Sequence, residues 1–226
     1  MNTELKKRIL TSIVLFTAVI FSILVHKLVF ILALIVTLFI CFDEWKNINS
    51  KYFYQKQKSI GRYFFIQFAG LVYLFIFLGT SIALRGNNFE SIIFFIIILC
   101  ICIFSDIGGY FFGKTIGGKK LTTISPNKTF SGSIGSFIFS LVPIFLLNLQ
   151  NYINVSFDIL PKNILLCLII SLICQLGDLL ISYFKRLNKV KNTGTILPGH
   201  GGLLDRIDGL IFVIPAVYIL KITQIF

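Results

Sequence analysis

The chain has 226 residues, a net charge of +12 and only 13% charged residues, about half the share of a typical soluble domain. Its mean hydropathy of +0.90 and its 56% hydrophobic content exclude an ordinary water-soluble domain. The apolar residues form long runs that approach the roughly 20 residues a helix needs to cross the hydrocarbon of a bilayer. These runs do not alternate as barrel strands would, so the predicted fold is all-α, a polytopic transmembrane helical bundle.

Seven membrane spans are predicted in chain order. They lie near residues 9–25, 28–42, 63–84, 89–112, 131–149, 163–184 and 203–225. The first two are short, and the break between them falls at His26-Lys27. The longest polar stretch, Asp43–Gly61, is predicted to be a linker that lies along the membrane interface.

The distribution of basic residues predicts the orientation of these spans, because lysine and arginine favour cytoplasmic loops. With a cytoplasmic N-terminus, sixteen of the twenty-one basic residues fall on the inner side. This inner set comprises Lys6, Lys7, Arg8, Lys46, Lys51, Lys56, Lys58, Arg62, Lys114, Lys119, Lys120, Lys128, Lys185, Arg186, Lys189 and Lys191. Attraction to anionic lipid explains most of them, so an anionic substrate must be argued from particular loops.

Four of the nine acids lie at or near the inner ends of apolar helices, and the other five are assigned to tails and loops. The four are Asp106, Asp178, Asp205 and Asp208, and the five are Glu4, Asp43, Glu44, Glu90 and Asp158. A carboxylate near hydrocarbon costs several kcal/mol unless it is paired or hydrated, which makes it a functional candidate. A structural ion pair with Arg186 or Arg206 is the alternative for any one acid. Four acids on one face favour a site there.

The spacing of polar residues on this face suggests a divalent cation and a polyphosphate. Asp205 and Asp208 share one face of a helix, and Mg²⁺ prefers one or two carboxylates together with substrate phosphates. Asp178, Ser182 and Lys185 form a second stripe of a carboxylate, a hydroxyl and an ammonium. Two loops rich in glycine and lysine, at 113–129 and 185–202, can turn backbone N–H groups toward an anion.

His200 lies in the second loop and has two readings that the sequence leaves open. It is either a general base or phosphate donor, or a side chain that caps the backbone of a tight loop.

The segment that runs from Ser182 to Asp208 carries the most specific motif. It reads S-x-x-K-R-x4-K-N-x-G-x2-L-P-x-H-G-G-L-x-D-R-I-D, and it closely resembles the signature of the phosphatidate cytidylyltransferases, also called CDP-diacylglycerol synthases. Two upstream segments, Asp106–Lys114 and Ser125–Thr129, resemble further elements of that family. The resemblance covers roughly residues 100–226, so we expect membrane anchor helices at 1–99 and a catalytic membrane domain at 100–226.

The resemblance implies that CTP and phosphatidic acid react to give CDP-diacylglycerol and pyrophosphate, with Mg²⁺ at about two cation sites. It implies that Asp178, Asp205 and Asp208 hold metal and that Lys185 neutralises charge beside them, so these four are the predicted catalytic residues. Substrate contacts are expected from Asp106, Lys128, Thr129, Ser182, Arg186, Lys191, His200, Gly201, Gly202 and Arg206. The expected place is the bacterial inner membrane, with the active site facing the cytoplasm.

Several alternatives stay open at this point. Intramembrane acids near glycine-broken helices also suit an ion-coupled transporter, and the motif constrains CTP better than the lipid, so another lipid acceptor is an alternative. The chain has Asn192 where the family pattern has aspartate and Ser131 where it has glutamate. Because both changes remove an acid, an inactive scaffold is a further alternative. The small residues of Ser131–Ser136 predict close helix packing, either within the chain or in a homodimer. No nucleic-acid partner is expected.

Overall fold

The computed structural model describes residues 3–56, 60–122, 124–149, 160–199 and 201–224. These residues are largely helical, and across them the only β pairing is two isolated bridges. The helices are α1 Thr3–Val25, α2 Lys27–Lys56, α3 Ile60–Arg85, α4 Phe89–Thr115, α5 Phe130–Ser140, α6 Val142–Leu149, α7 Pro161–Leu187, α8 Leu204–Ile207 and α9 Leu210–Ile222. The predicted all-α fold is therefore confirmed.

The lengths and composition of these helices fit a polytopic membrane protein. Within the described ranges, five stretches are long and apolar enough to cross a bilayer: Lys27–Ser50, Ile60–Arg85, Phe89–Thr115, Phe130–Asn148 and Pro161–Leu187. Two shorter apolar helices, Leu10–Val25 and Leu210–Ile222, correspond to the first and last predicted spans. The count of seven spans and the cytoplasmic N-terminus stay predictions.

Three predicted boundaries differ from the structure. The second predicted span ends at residue 42, but α2 continues to Lys56 because Asp43–Lys56 contains no glycine or proline to stop it. The linker prediction is therefore wrong for this part of the segment. The fifth span is divided between α5 and α6, beside Pro143, which cannot donate a backbone hydrogen bond. The last is divided into α8 and α9 at Asp208-Gly209.

The chain forms two compact units. The first comprises Met1–Ala83 and Phe184–Ile207, and the second comprises Leu84–Tyr183 and Asp208–Phe226. These units are discontinuous in sequence, because the end of α7 and the segment up to α8 group with the N-terminal helices. The predicted functional division into 1–99 and 100–226 stays a prediction.

In the first unit, Trp45 on α2 contacts both α3 and α7. Its indole N–H donates to the carbonyl of Ile66 on α3 at 3.3 Å, and its ring meets that of Phe184 on α7 edge to face with centroids 5.2 Å apart. Gly70 on α3 lies against the same indole, where a Cβ atom would come within 2.7 Å of Cδ1. The missing side chain at Gly70 therefore allows α3 to approach Trp45.

In the second unit, α4 and α5 pack through glycine. A Cβ atom at Gly132 would lie 2.8 Å from the carbonyl oxygen of Gly109, and one at Gly135 would lie 2.6 Å from Cβ of Phe112. The small residues predicted to drive close packing therefore do so within the chain. A homodimer stays a prediction.

A chain of polar side chains, buried at Ser105 and Ser171 and half-buried at Gln175 and Ser133, joins α7 to α4 and α5. The hydroxyls of Ser105 and Ser171 are 2.8 Å apart, Gln175 Nε2 donates to Ser171 Oγ at 3.2 Å, and Ser133 Oγ donates to Gln175 Oε1 at 2.6 Å. Hydrogen bonds of this kind between apolar helices help to fix their pairing, because the groups have no water to bind instead. They hold α7, which carries several of the predicted site residues, against its neighbours.

Candidate active site

In the first unit, the predicted site residues gather around the segment 188–203 that connects α7 to α8, which we call the signature loop. Lys185 lies in the last turn of α7 and Asp205 in α8, one on each side of this loop. Lys185 Nζ is 2.8 Å from Asp205 Oδ1, and the two side chains are only 11% and 7% exposed. The structure therefore brings two of the four predicted catalytic residues into one buried ion pair.

Asp205 also binds the backbone of the signature loop. Its Oδ2 accepts hydrogen bonds from the N–H groups of Thr193 at 2.8 Å and Gly202 at 3.1 Å. Burial alone would raise the pKa of the Asp205 carboxyl, but the Lys185 hydrogen bond, the two N–H groups and the Lys185 charge together hold that pKa below its ordinary value. Asp205 is therefore an anion that orders the loop and fixes the Lys185 ammonium.

Glu44 is a residue that the sequence analysis missed, because it was assigned to a loop. It lies on α2 with only 2% of its surface exposed. Its Oε2 accepts from Thr193 Oγ1 and from the Leu204 N–H, both at 2.9 Å, and its Oε1 accepts from the Leu203 N–H at 2.9 Å. The available signal was helical periodicity, since Cys41 and Ile48 are buried on the same face of α2.

Three glycines make this arrangement possible. A Cβ atom at Gly202 would lie 2.5 Å from Glu44 Oε2, and one at Gly194 would lie 2.6 Å from Glu44 Oε1. Gly201 has φ +89°, a conformation that other residues rarely adopt, and it pairs with Leu197 in a short antiparallel bridge. Gly201 and Gly202 therefore have structural roles, and their predicted contact with substrate stays a prediction.

The second unit holds a separate cluster around Asp178 on α7. Lys128 Nζ is 2.5 Å from Asp178 Oδ2, and Ser182 Oγ donates to Asp178 Oδ1 at 3.3 Å. Asp208 lies nearby along the backbone, because a Cβ atom at Gly177 would lie 3.0 Å from the Asp208 carbonyl oxygen. The Asp178–Ser182 part of the predicted stripe is therefore formed with Lys128 as an additional partner, whereas Lys185 pairs with Asp205 in the first unit.

Lys128 is placed by the turn that starts α5. Thr129 caps this helix, since its Oγ1 accepts from the Gly132 N–H at 3.1 Å. Ser131, which replaces the glutamate of the family pattern, donates to the Gly117 carbonyl and lies 2.9 Å from Thr129 Oγ1. Thr129 and Ser131 thus tie the first glycine-rich loop to α5.

Most of the remaining predicted residues lie at the surface. Arg186, Lys191 and Arg206 are exposed in the first unit, where they can meet an anion from solvent. Asp106 is exposed in the second unit, where Cys174 Sγ donates to its Oδ1 at 3.9 Å. His200 lies outside the described residues.

The three predicted metal ligands, Asp178, Asp205 and Asp208, have different surroundings. No group of three or more His, Cys, Asp and Glu side chains that could hold a metal ion occurs in the parts of the chain that the structure describes. Asp205 has both oxygens engaged by Lys185 and backbone N–H groups. Asp178 and Asp208 lie in the same unit, and their hard oxygen donors fit Mg²⁺, which needs only one or two carboxylates beside substrate phosphates. The three-aspartate metal site stays a prediction.

Five long apolar helices among the described residues, with a buried lysine–carboxylate pair in the first unit, define a polytopic helical membrane protein with a polar site. Comparison with known sequences gives the family: the chain belongs to the cytidylyltransferase family, whose pattern matches residues 51–223. The match begins well before residue 100, so the resemblance reaches further into the N-terminal helices than the sequence motifs indicated.

Three bacterial relatives illustrate the similarity, each bearing the name phosphatidate cytidylyltransferase. The chain is 43% identical over 142 residues to that of Staphylococcus haemolyticus, covering 62% of this chain and 52% of the relative. It is 43% identical over 128 residues to that of Bacillus subtilis, covering 56% and 46%. It is 49% identical over 120 residues to that of Staphylococcus aureus, covering 52% and 45%. The chain thus spans about half the length of the curated relatives it matches.

Proposed function

We propose that this chain transfers the cytidylyl group of CTP to phosphatidic acid and releases pyrophosphate. The observation that carries the proposal is the buried Lys185–Asp205 pair, which the signature loop encloses within the region shared with the family. The names of the relatives point to the same reaction. Membership of a cytidylyltransferase family favours an enzyme over the ion-coupled transporter.

The reaction needs positioning and charge stabilisation more than proton transfer. A phosphate oxygen of phosphatidic acid attacks the α-phosphorus of CTP, a new P–O bond forms, and the bond to the β-phosphate breaks as pyrophosphate leaves. A phosphate monoester oxygen is already anionic near neutral pH, so no strong general base is required. Electrostatic stabilisation of the transferred group then supplies most of the rate.

The basic side chains have distinct tasks in this proposal. Lys185 is held in one place by Asp205, so its ammonium presents a fixed positive charge beside the signature loop. Lys128 is about a quarter exposed and can contact a phosphate while Asp178 orients it. Lys191 and Arg206 are exposed and can attract the triphosphate from solvent.

Mg²⁺ is the expected cofactor, and Asp178 and Asp208 are the residues that would hold it, with Asp205 as the third predicted ligand. When bound, Mg²⁺ would offset the negative charge of the phosphates and of the leaving pyrophosphate. Asp205 serves first as an anchor of the signature loop, because its carboxylate oxygens accept hydrogen bonds from Lys185 and from the N–H groups of Thr193 and Gly202.

We further propose that the reaction takes place at the cytoplasmic face of a bacterial inner membrane. The concentration of basic residues in segments predicted to be cytoplasmic supports this orientation. CTP is available in the cytoplasm, and phosphatidic acid can reach a site between helices by lateral diffusion in the bilayer.

The test is transfer of label from CTP to lipid by the full chain in nanodiscs. With phosphatidic acid present, we expect labelled CDP-diacylglycerol and one pyrophosphate per turnover. Lys185→Met should abolish most of this turnover, whereas Asp43→Asn, an exposed charge change on α2, should not. If label appears only on another lipid phosphate, that lipid and not phosphatidic acid is the acceptor. If no lipid becomes labelled with any acceptor, the proposal is refuted.

A further inference from the structure

A second carboxylate, that of Glu44, also binds the signature loop. Thr193 shows the arrangement most directly, because its N–H donates to Asp205 at 2.8 Å and its hydroxyl donates to Glu44 at 2.9 Å. Glu44 also accepts the N–H groups of Leu203 and Leu204, where the loop ends and α8 begins. The two anions therefore bind the loop at Thr193 and at its C-terminal end.

Glu44 is not explained as a surface charge. It is buried, and its bonds are charge-assisted hydrogen bonds to neutral donors, which are about twice as strong as bonds between neutral groups. Gly194 and Gly202 lack the Cβ atoms that would collide with its carboxylate, so the loop backbone fits closely around this one side chain. A carboxylate that is buried this deeply in an apolar helix is a functional candidate.

We propose that Glu44 is a positioning residue that pre-orders the signature loop for nucleotide binding. It acts through Thr193, Leu203 and Leu204, and not by touching substrate. The inference rests on the proposed function for its kinetic consequence, but the ordering of the loop itself does not depend on any substrate.

The kinetic consequence has a definite form. If Glu44 raises the fraction of chains with a binding-competent loop, losing it lowers that fraction, and the apparent affinity for CTP falls in proportion. Saturating CTP restores the ordered loop. KM for CTP should therefore rise and kcat should change little. A residue that only stabilises the fold would lower the amount of active protein, and so the apparent kcat, without moving KM.

The experiment compares Glu44→Gln with its exposed neighbour Asp43→Asn, which removes the same charge from the adjacent position of α2. An amide at position 44 loses one acceptor oxygen and presents a donor to a backbone N–H. We expect KM for CTP to rise about tenfold or more in Glu44→Gln, which corresponds to the loss of one or two charge-assisted bonds. Asp43→Asn should keep the wild-type KM.

A second pair of variants covers the case in which Glu44→Gln does not fold. Thr193→Val keeps the shape and the N–H but removes the hydroxyl that donates to Glu44, so its KM for CTP should also rise. Thr193→Ser keeps the hydroxyl and should recover most of that loss. Equal KM values for the valine and serine variants, or a wild-type KM in Glu44→Gln, would overturn the proposal.

Hydrogen–deuterium exchange separates this proposal from the proposed function, because it needs no substrate. In Glu44→Gln, the amides of Leu203 and Leu204 should exchange faster than in Asp43→Asn, while the amides of α4 remain protected. If the wild-type chain turned over no CTP, the proposed function would fail and the exchange result would still decide the role of Glu44. Unchanged exchange at both amides would refute it.

Discussion

Replacing Lys185 by methionine should destabilise the protein markedly. The change removes the ammonium but keeps a side chain of similar length, and it leaves the Asp205 carboxylate buried without its cation. Removing one partner of a buried ion pair costs about 3–5 kcal/mol. Asp205 keeps two backbone N–H donors, so we expect the lower end, about 3 kcal/mol. That loss corresponds to a fall in Tm of about 6–12 °C for a domain of this size.

Lys128→Met is the matched control, because it removes a lysine from the other ion pair. Lys128 and Asp178 are 26% and 32% exposed, against 11% and 7% for Lys185 and Asp205. Exposed pairs contribute about 1 kcal/mol or less, so Tm should fall by no more than about 4 °C. Both lysine variants should lose turnover, and only Lys185→Met should lose much stability.

The assay is thermal unfolding in detergent, followed with a fluorophore that reacts with thiols. Cys41 is a free cysteine in the first unit with no exposed surface, so its labelling reports the opening of that unit once peptide mapping separates it from the free cysteines of the second unit. Asp205→Asn and the double variant complete a cycle that measures the coupling of the pair. We expect the double variant to be no less stable than Lys185→Met alone. If the losses of unfolding free energy in Lys185→Met and Asp205→Asn add up to the loss in the double variant, the two residues are not coupled and the prediction is refuted.

Three further predictions concern helix packing, metal and the departures from the family pattern. Gly135→Val should cost about 1–3 kcal/mol by overpacking α4 against α5, whereas Gly79→Ala, with open space around it, should not lower Tm. Chelation with EDTA should abolish turnover and Mg²⁺ should restore it, with Asp208→Asn raising the Mg²⁺ requirement about tenfold or more. Asn192 and Asp205 both lie against Gly201, so Asn192→Asp places a second negative charge near Asp205 and should lower Tm. If the wild-type chain is inactive and Asn192→Asp gains turnover, that result would support the scaffold alternative.

The helices and much of the site could be predicted because their signals are local. Apolar runs of sufficient length can only be helices in a membrane, and the stripe of Asp178, Ser182 and Lys185 follows from helical spacing along α7 alone. The small residues around Gly135 likewise predicted close packing, which the structure places between α4 and α5. Each of these conclusions depends on neighbours within a few turns of the chain.

The partners of the acids could not be predicted, since they come from distant parts of the sequence. Glu44 and Thr193 are 149 positions apart, and no spacing rule connects them. The sequence suggested arginine as the partner of a structural acid, but the structure pairs Asp205 with Lys185 and Asp178 with Lys128. The boundary at residue 42 hid Glu44, because polar residues on the exposed face of α2 made a continuous helix resemble a linker.

The placement of charge around the signature loop explains how a strongly basic segment can stay ordered and still bind an anion. Glu44 and Asp205 accept hydrogen bonds from backbone N–H groups, and Asp205 also pairs with Lys185, so both negative charges are stabilised inside the first unit. Lys191 and Arg206 lie at the surface of the first unit. If the carboxylates were instead exposed beside these cations, they would compete with a triphosphate for the same partners. Burying the anions against backbone N–H groups and Lys185 therefore orders the loop without weakening the attraction of its surface for phosphate.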